Sequence, residues 1–163
     1  MNAIGTLWFF VWRMTLWGLE LGLGLGVVHG SLAGAFAPWG IGLVIMGLIV
    51  GPALGLCLGP LEGVVLWGVT MLHHRGGTPP DSDRYRRVAG MACAAVCIVA
   101  LALIFELTLR MSGTSFVSGP AYDDEDVKFL LLVVVAPSLS AAWAAWWAAR
   151  RVAGQYASET AAG

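Results

Sequence analysis

Two carboxylates stand inside long apolar runs. Glu20 lies in Trp17-Gly18-Leu19-Glu20-Leu21-Gly22, and Glu62 in Gly59-Pro60-Leu61-Glu62-Gly63-Val64. A charge in hydrocarbon is expensive, on the order of 2.5–3.5 kcal/mol at the centre of a membrane helix for comparable residues. Burial of a carboxyl favours its neutral form, so such a group can bind and release a proton or a cation. An ionisable side chain within a membrane helix raises that hypothesis by default. Glu20 and Glu62 are therefore the candidate ion or proton residues. The other polar groups read as structure. His29 stands alone in its apolar run and reads as a packed or hydrogen-bonded residue. His73 and His74 are adjacent, about 100° apart on a helix, which is poor chelate geometry. Cys93 and Cys97 share a helix face but have no third ligand nearby, so packing outweighs metal binding. The run Asp123-Asp124-Glu125-Asp126 precedes an apolar segment, where negative charge complements a helix N-terminus; weak divalent-cation binding is the alternative. Gly22-Leu23-Gly24-Leu25-Gly26 follows no strand, so it does not read as a dinucleotide loop. With no nucleophile–base set, phosphate loop or ligand cluster, neither an enzyme nor a cofactor is expected.

The elements that would position the carboxylates are set by glycine. Gly18, Gly22, Gly26, Gly30 and Gly34 form one ladder; Gly47, Gly51, Gly55, Gly59 and Gly63 form a second, 29 residues later. In water a glycine inside a helix costs about 1 kcal/mol relative to alanine. In lipid the helix is nearly forced, because backbone groups find no other partner. Helices there associate by close packing, and small residues at i, i+4 let backbones approach. The two ladders predict a glycine-zipper hairpin. Folding the chain around Pro38-Trp39-Gly40-Ile41-Gly42 sets Gly34 opposite Gly47 and Gly18 opposite Gly63. It also sets Glu62 at the depth of Leu19 and Glu20, with Glu20 facing away from the partner helix.

Composition agrees with a membrane chain. Of 163 residues, 58% are hydrophobic and 12% charged, and the mean hydropathy is +0.79. That is a polytopic protein with the bilayer as its principal partner. A net charge of −1 supplies no field for nucleic acid. Eight tryptophans suit an interfacial belt. The three cysteines lie in apolar runs and imply no disulfide framework. The N-terminus reads as a retained helix and not as a cleaved leader.

The expected fold is all-α: one transmembrane bundle of four spans over 5–36, 43–74, 88–110 and 128–151. Arg13 anchors the first at an interface. Pro52 and Pro60 predict kinks or unwinding in the second. The run 39–73 is read as one long tilted span, with two spans as the alternative. Ala89, Cys93 and Cys97, with Gly90 and Ala94, form small-residue stripes in the third, and Glu106 with Arg110 has ion-pair spacing. In the fourth, Pro137 with Ser138 and Ser140 predicts a bend, followed by Ala141, Ala145 and Ala149. Trp143, Trp146 and Trp147 before Arg150 and Arg151 mark an interface. The loop 75–87 and the C-terminal end hold six arginines, so the positive-inside rule makes that side and both termini cytoplasmic. The loop 111–127 then lies outside, and 153–163 is a mobile tail.

Gly22, Gly24 and Gly26 in a first helix, and Glu62 just after Pro60 in a second, resemble the proteolipid ring subunit of rotary ATPases, over about 5–74 only. That resemblance implies that the second-helix carboxylate is an ion site. The chain departs from the pattern where Pro38-Trp39-Gly40 replaces a polar loop and two further helices follow. More broadly, the chain resembles uncharacterised small polytopic membrane proteins of bacteria built on glycine-zipper hairpins, which imply no activity. The expected role is a non-enzymatic scaffold or accessory subunit of the cytoplasmic membrane, partnered by itself or by another membrane protein. The alternative is proton, cation or small-solute transport using the intramembrane carboxylates.

Overall fold

A computed structural model describes residues 3–36, 40–75, 83–111 and 134–162, and among these the apolar runs, too long for strands, fold as four helices. They are α1 (Ala3–Phe36), α2 (Gly40–Arg75), α3 (Asp83–Met111) and α4 (Ala136–Ala162). Three contain stretches long and apolar enough to cross a membrane: Ile4–Ala35, Ile41–His73 and Asp83–Thr108. The run 39–73 thus yields one long helix from Gly40 and not two. Pro52 and Pro60 sit inside it without ending it, as lipid-facing helices tolerate.

Several expected boundaries move. α3 starts at Asp83 instead of 88, with the acidic Asp83 in its first turn, where it complements the helix N-terminus. A wide, π-type turn at 134–135 leads into α4. Pro137 falls in the first turn of α4 as described, directly after that π-type turn; the expected helix start at 128 lies outside the described residues. The Ser140 hydroxyl donates to the Ala136 carbonyl at 2.8 Å. The helix also continues well past 151. Residues 153–162 are helical, and Val152, Ala153, Tyr156 and Ala157 are buried, so the mobile tail is replaced by a packed helical end. The turn residues Pro38 and Trp39, most of the loop 75–87, and the whole run from 112 to 133, including Asp123–Asp126, lie outside the described residues.

α1 and α2 touch along bare backbone. A methyl placed on Gly26 would collide with the carbonyl oxygen of Gly47, and one on Gly47 with that of Gly26. Gly22 meets Gly51 in the same way, the added carbon lying 2.9 Å from the Gly51 carbonyl carbon, and Gly18 meets Gly55. Beyond these pairs, Gly30 faces Leu43 and Val44, Gly59 faces Met14 and Thr15, and Gly63 faces Phe10 and Val11. Ladder therefore lies on ladder, but Gly18 faces Gly55 and not Gly63. The register is displaced by eight residues, two steps of the ladder. The cause is the turn: α2 begins at Gly40, so the chain reverses about four residues earlier than expected. In this register Gly34 is level with residue 39, outside the described residues.

Among the described residues, the α3–α4 pair closes the bundle at the arginine-rich end. Phe10 and Met14 of α1, Leu66 of α2, Tyr85, Ala89 and Cys93 of α3, and Ala149, Val152 and Tyr156 of α4 form one buried cluster. The Phe10 and Tyr156 rings lie 4.9 Å apart, and Trp17 meets Trp147 edge-on at 5.1 Å. Thr70 donates to the Leu66 carbonyl at 2.7 Å, so the Tyr85 hydroxyl must donate to the Thr70 oxygen at 2.6 Å. Arg150 and Arg151 lie over the rings of Trp146 and Trp147, at 4.7 and 4.4 Å. Arg13 lies 3.8 Å from Glu159, a half-exposed pair worth little in stability. Arg110 and Glu106 form the expected i, i+4 pair at 2.8 Å.

The backbone contact makes an asymmetric prediction. Gly26→Ala or Gly47→Ala lowers the thermal midpoint of the detergent-solubilised protein, at an overpacking cost of about 1–3 kcal/mol. Gly24→Ala, where an added methyl meets nothing within 4 Å, leaves the midpoint unchanged or raises it through helix propensity. Equal midpoints for all three variants would contradict the contact.

Candidate functional site

The same small residues that admit the close hairpin leave the other half of the bundle unfilled. A cavity of about 450 Å³ lies between the hairpin and the α3–α4 pair. Its α1–α2 wall flanks the glycine contact from Gly18 to Gly30 and from Gly47 to Gly59, with Leu21, Leu25, Leu54 and Leu58 among its side chains. The opposite wall is Leu101, Ile104 and Phe105 of α3 with Pro137, Ala141 and Ala145 of α4. The buried aromatic cluster seals the end near the arginines. Toward the α1–α2 turn the described walls run on to Gly30 and Leu43, and the lining residues Met46 and Ile104 are exposed on the bundle surface. It is a cleft, blind at the arginine-rich end.

Glu62 lies at the blind end. It lines the cleft and is 5% exposed. The thiol of Cys97, one of the cleft-lining residues, hydrogen-bonds its carboxyl. The Cys93 thiol donates to the Glu62 backbone carbonyl at 3.7 Å. The i, i+4 spacing of Cys93 and Cys97 thus serves as a buried packing stripe with Ala89 and also brings thiols to Glu62. Among the described residues no three His, Cys, Asp or Glu side chains gather as metal ligands.

The two carboxylates do not share a depth. In the displaced register Glu62 is level with Val11, which places Glu20 about 13 Å farther along α1 at 1.5 Å per residue. Glu20 is exposed and faces away from α2, as its position on the helix implies. His29 lines the same cleft as Glu62, but stands about 27 Å farther along α1 by the same rise, so the two cannot act as a pair. His73, outside the cleft, packs on the Tyr85 ring at 5.0 Å.

The sequence offered Glu62 but not its setting. The cleft wall on α3 and α4 was not legible as such, though its signal is present: Ala141 and Ala145 are small where a filled bundle would carry large side chains. Chemically, the arrangement can hold a proton on Glu62, or it can offer a single negative charge to a cationic group entering a largely apolar slot. Compared with known proteins, the chain matches no family model, no curated protein and no solved structure.

Proposed function

We propose that the chain is a non-enzymatic integral membrane protein that handles a proton, a cation or a small solute through the cleft, with Glu62 as its binding group. One observation carries the reading: a buried carboxylate stands at the blind end of an otherwise apolar cleft. Intramembrane ionisable groups facing a bundle interior mark substrate and ion pathways. In this proposal the α1 and α2 ladders act as a glycine zipper that keeps one wall of the cleft fixed. The segment leading into α4 supplies a fourth span. Arg75, Arg84, Arg86, Arg87, Arg150 and Arg151 lie toward the cytoplasm with both termini, in a bacterial cytoplasmic membrane, and the cleft opens toward the other side. A grouping with small polytopic proteins built on such hairpins goes with this reading.

A second reading, a scaffold or accessory subunit, is favoured by Glu20. It stands midway along Ile4–Ala35 and is exposed among Leu16, Leu19 and Leu23. A carboxylate at that depth is costly against lipid, so a helix of a second copy or of another membrane protein would cover it.

The two readings separate by residue. In liposomes, Glu62→Gln lowers the ion or proton flux of the reconstituted protein at least severalfold, whereas the exposed Glu159→Gln leaves it unchanged; equal flux in all three proteins would reject the role of Glu62. Cross-linking in native membranes tests the other reading. Glu20→Leu removes the higher-mass species formed by the native chain, and their persistence would reject Glu20 as an interface residue.

A further inference from the structure

The shape and lining of the cleft restrict what could occupy it. A bare metal cation is a poor match. Hard cations take six or more oxygen ligands, and here one carboxyl stands among aliphatic walls with a thiol for company. A small hydrated cation fits badly too, because its water would lie against apolar surface along the whole hairpin wall. An anion is opposed by Glu62. A purely apolar molecule suits the walls but makes no use of the carboxyl at the blind end.

An occupant that answers both requirements has an apolar body and one positive charge. The volume, about 450 Å³, lies within the range of sites that take small organic ligands. The polar groups farther out, His29, Thr108 and Ser138, leave room for a hydrogen-bonding substituent at the wide end. A body without bulky branches could lie beside the glycine contact, against Leu21, Leu25, Leu54 and Leu58.

We infer that the cleft binds a lipophilic organic monocation, its charge against Glu62 at the blind end and its apolar body along the hairpin wall. The inference rests on the solute-handling reading and narrows it to a ligand class. Glu62 and Cys97 recognise the charged end. Leu101, Phe105 and Ala141 hold the body.

The test uses two ions of one chain length and opposite head charge, octyltrimethylammonium and octyl sulfate, each below its micellar concentration, with the full-length protein in nanodiscs. Octyltrimethylammonium binds saturably and octyl sulfate does not. Glu62→Gln weakens the cation by roughly tenfold or more, as loss of a desolvated charge partner should. Because that variant could fold poorly, Ala141→Phe provides a second arm. It fills the cleft, leaves Glu62 in place and removes binding, whereas Leu103→Trp, on the exposed face of α3, does not. Equal uptake of both ions, insensitive to Glu62→Gln and Ala141→Phe, would show passive occupancy by apolar matter such as lipid chains and overturn the inference. Absence of saturable cation binding would overturn it as well. If Glu62-dependent flux of protons or inorganic cations persisted in either case, the ligand class alone would fail; if flux were also absent, the solute-handling reading would fail with it.

Discussion

The structure depends on two helices touching backbone to backbone. At Gly26 and Gly47, and again at Gly22 and Gly51, no room is left for even one methyl on either side. In water such a helix pair would be driven together by burial of apolar surface, but lipid tails are as apolar as the side chains. Attraction must then come from van der Waals contact at short range, which weakens within fractions of an ångström. Ladders with a period of four place glycine after glycine along a slowly turning stripe, so the contact persists through several turns. Thr15 faces Gly59 across this seam and returns its hydroxyl to the Val11 carbonyl at 2.7 Å, so even the polar group at the contact is satisfied within its own helix.

From that constraint the cleft follows. Glycine supplies closeness to one partner and no side chain for any other. The face that joins α1 to α2 therefore has little with which to fill the space toward α3 and α4. At the arginine-rich end, Phe10, Met14, Leu66, Tyr85 and Tyr156 occupy the centre. Toward the α1–α2 turn the walls combine glycine and alanine with leucines such as Leu25, Leu54 and Leu101. Among the described residues the bundle is packed at one end and hollow at the other because the cluster of Phe10, Tyr85 and Tyr156 that fills the centre stands at the arginine-rich end. Glu62 stands at the change between the two regimes, close enough to the packed end to be buried and close enough to the hollow end to face open space.

How much of this could be read from residues alone varies with the kind of pattern. The glycine ladders announced a close helix pair, because a strict four-residue repeat in an apolar run has few other uses. They could not fix the register. A shift of eight residues again lays glycine on glycine, so the ladder is degenerate with respect to its own period. The turn near residue 37 decides, and Pro38-Trp39-Gly40 does not encode its length unambiguously. The depth of Glu62 inherited that error, which is why Glu20 was expected at the same depth. The end of α4 was misjudged for another reason. Ala153, Gln155, Tyr156 and Ala157 carry no long apolar run, yet alanines and one tyrosine suffice to pack against Phe9 and Phe10. The role of Cys97 toward Glu62 was out of reach, since it joins residues on different helices and no local spacing reports it. The ion pair of Glu106 and Arg110 was legible because it is wholly local.

The account stands on the register of the hairpin, and solid-state NMR of the protein in lipid bilayers, labelled with ¹³C only at glycine, tests it most directly. Contacts between a glycine Cα and a glycine carbonyl on the facing helix report the pairing without introducing any side chain. The account predicts cross-peaks joining Gly18 to Gly55, Gly22 to Gly51 and Gly26 to Gly47. Cross-peaks joining Gly18 to Gly63, or no contacts between the two ladders, would contradict it and would remove Glu62 from the floor of the cleft.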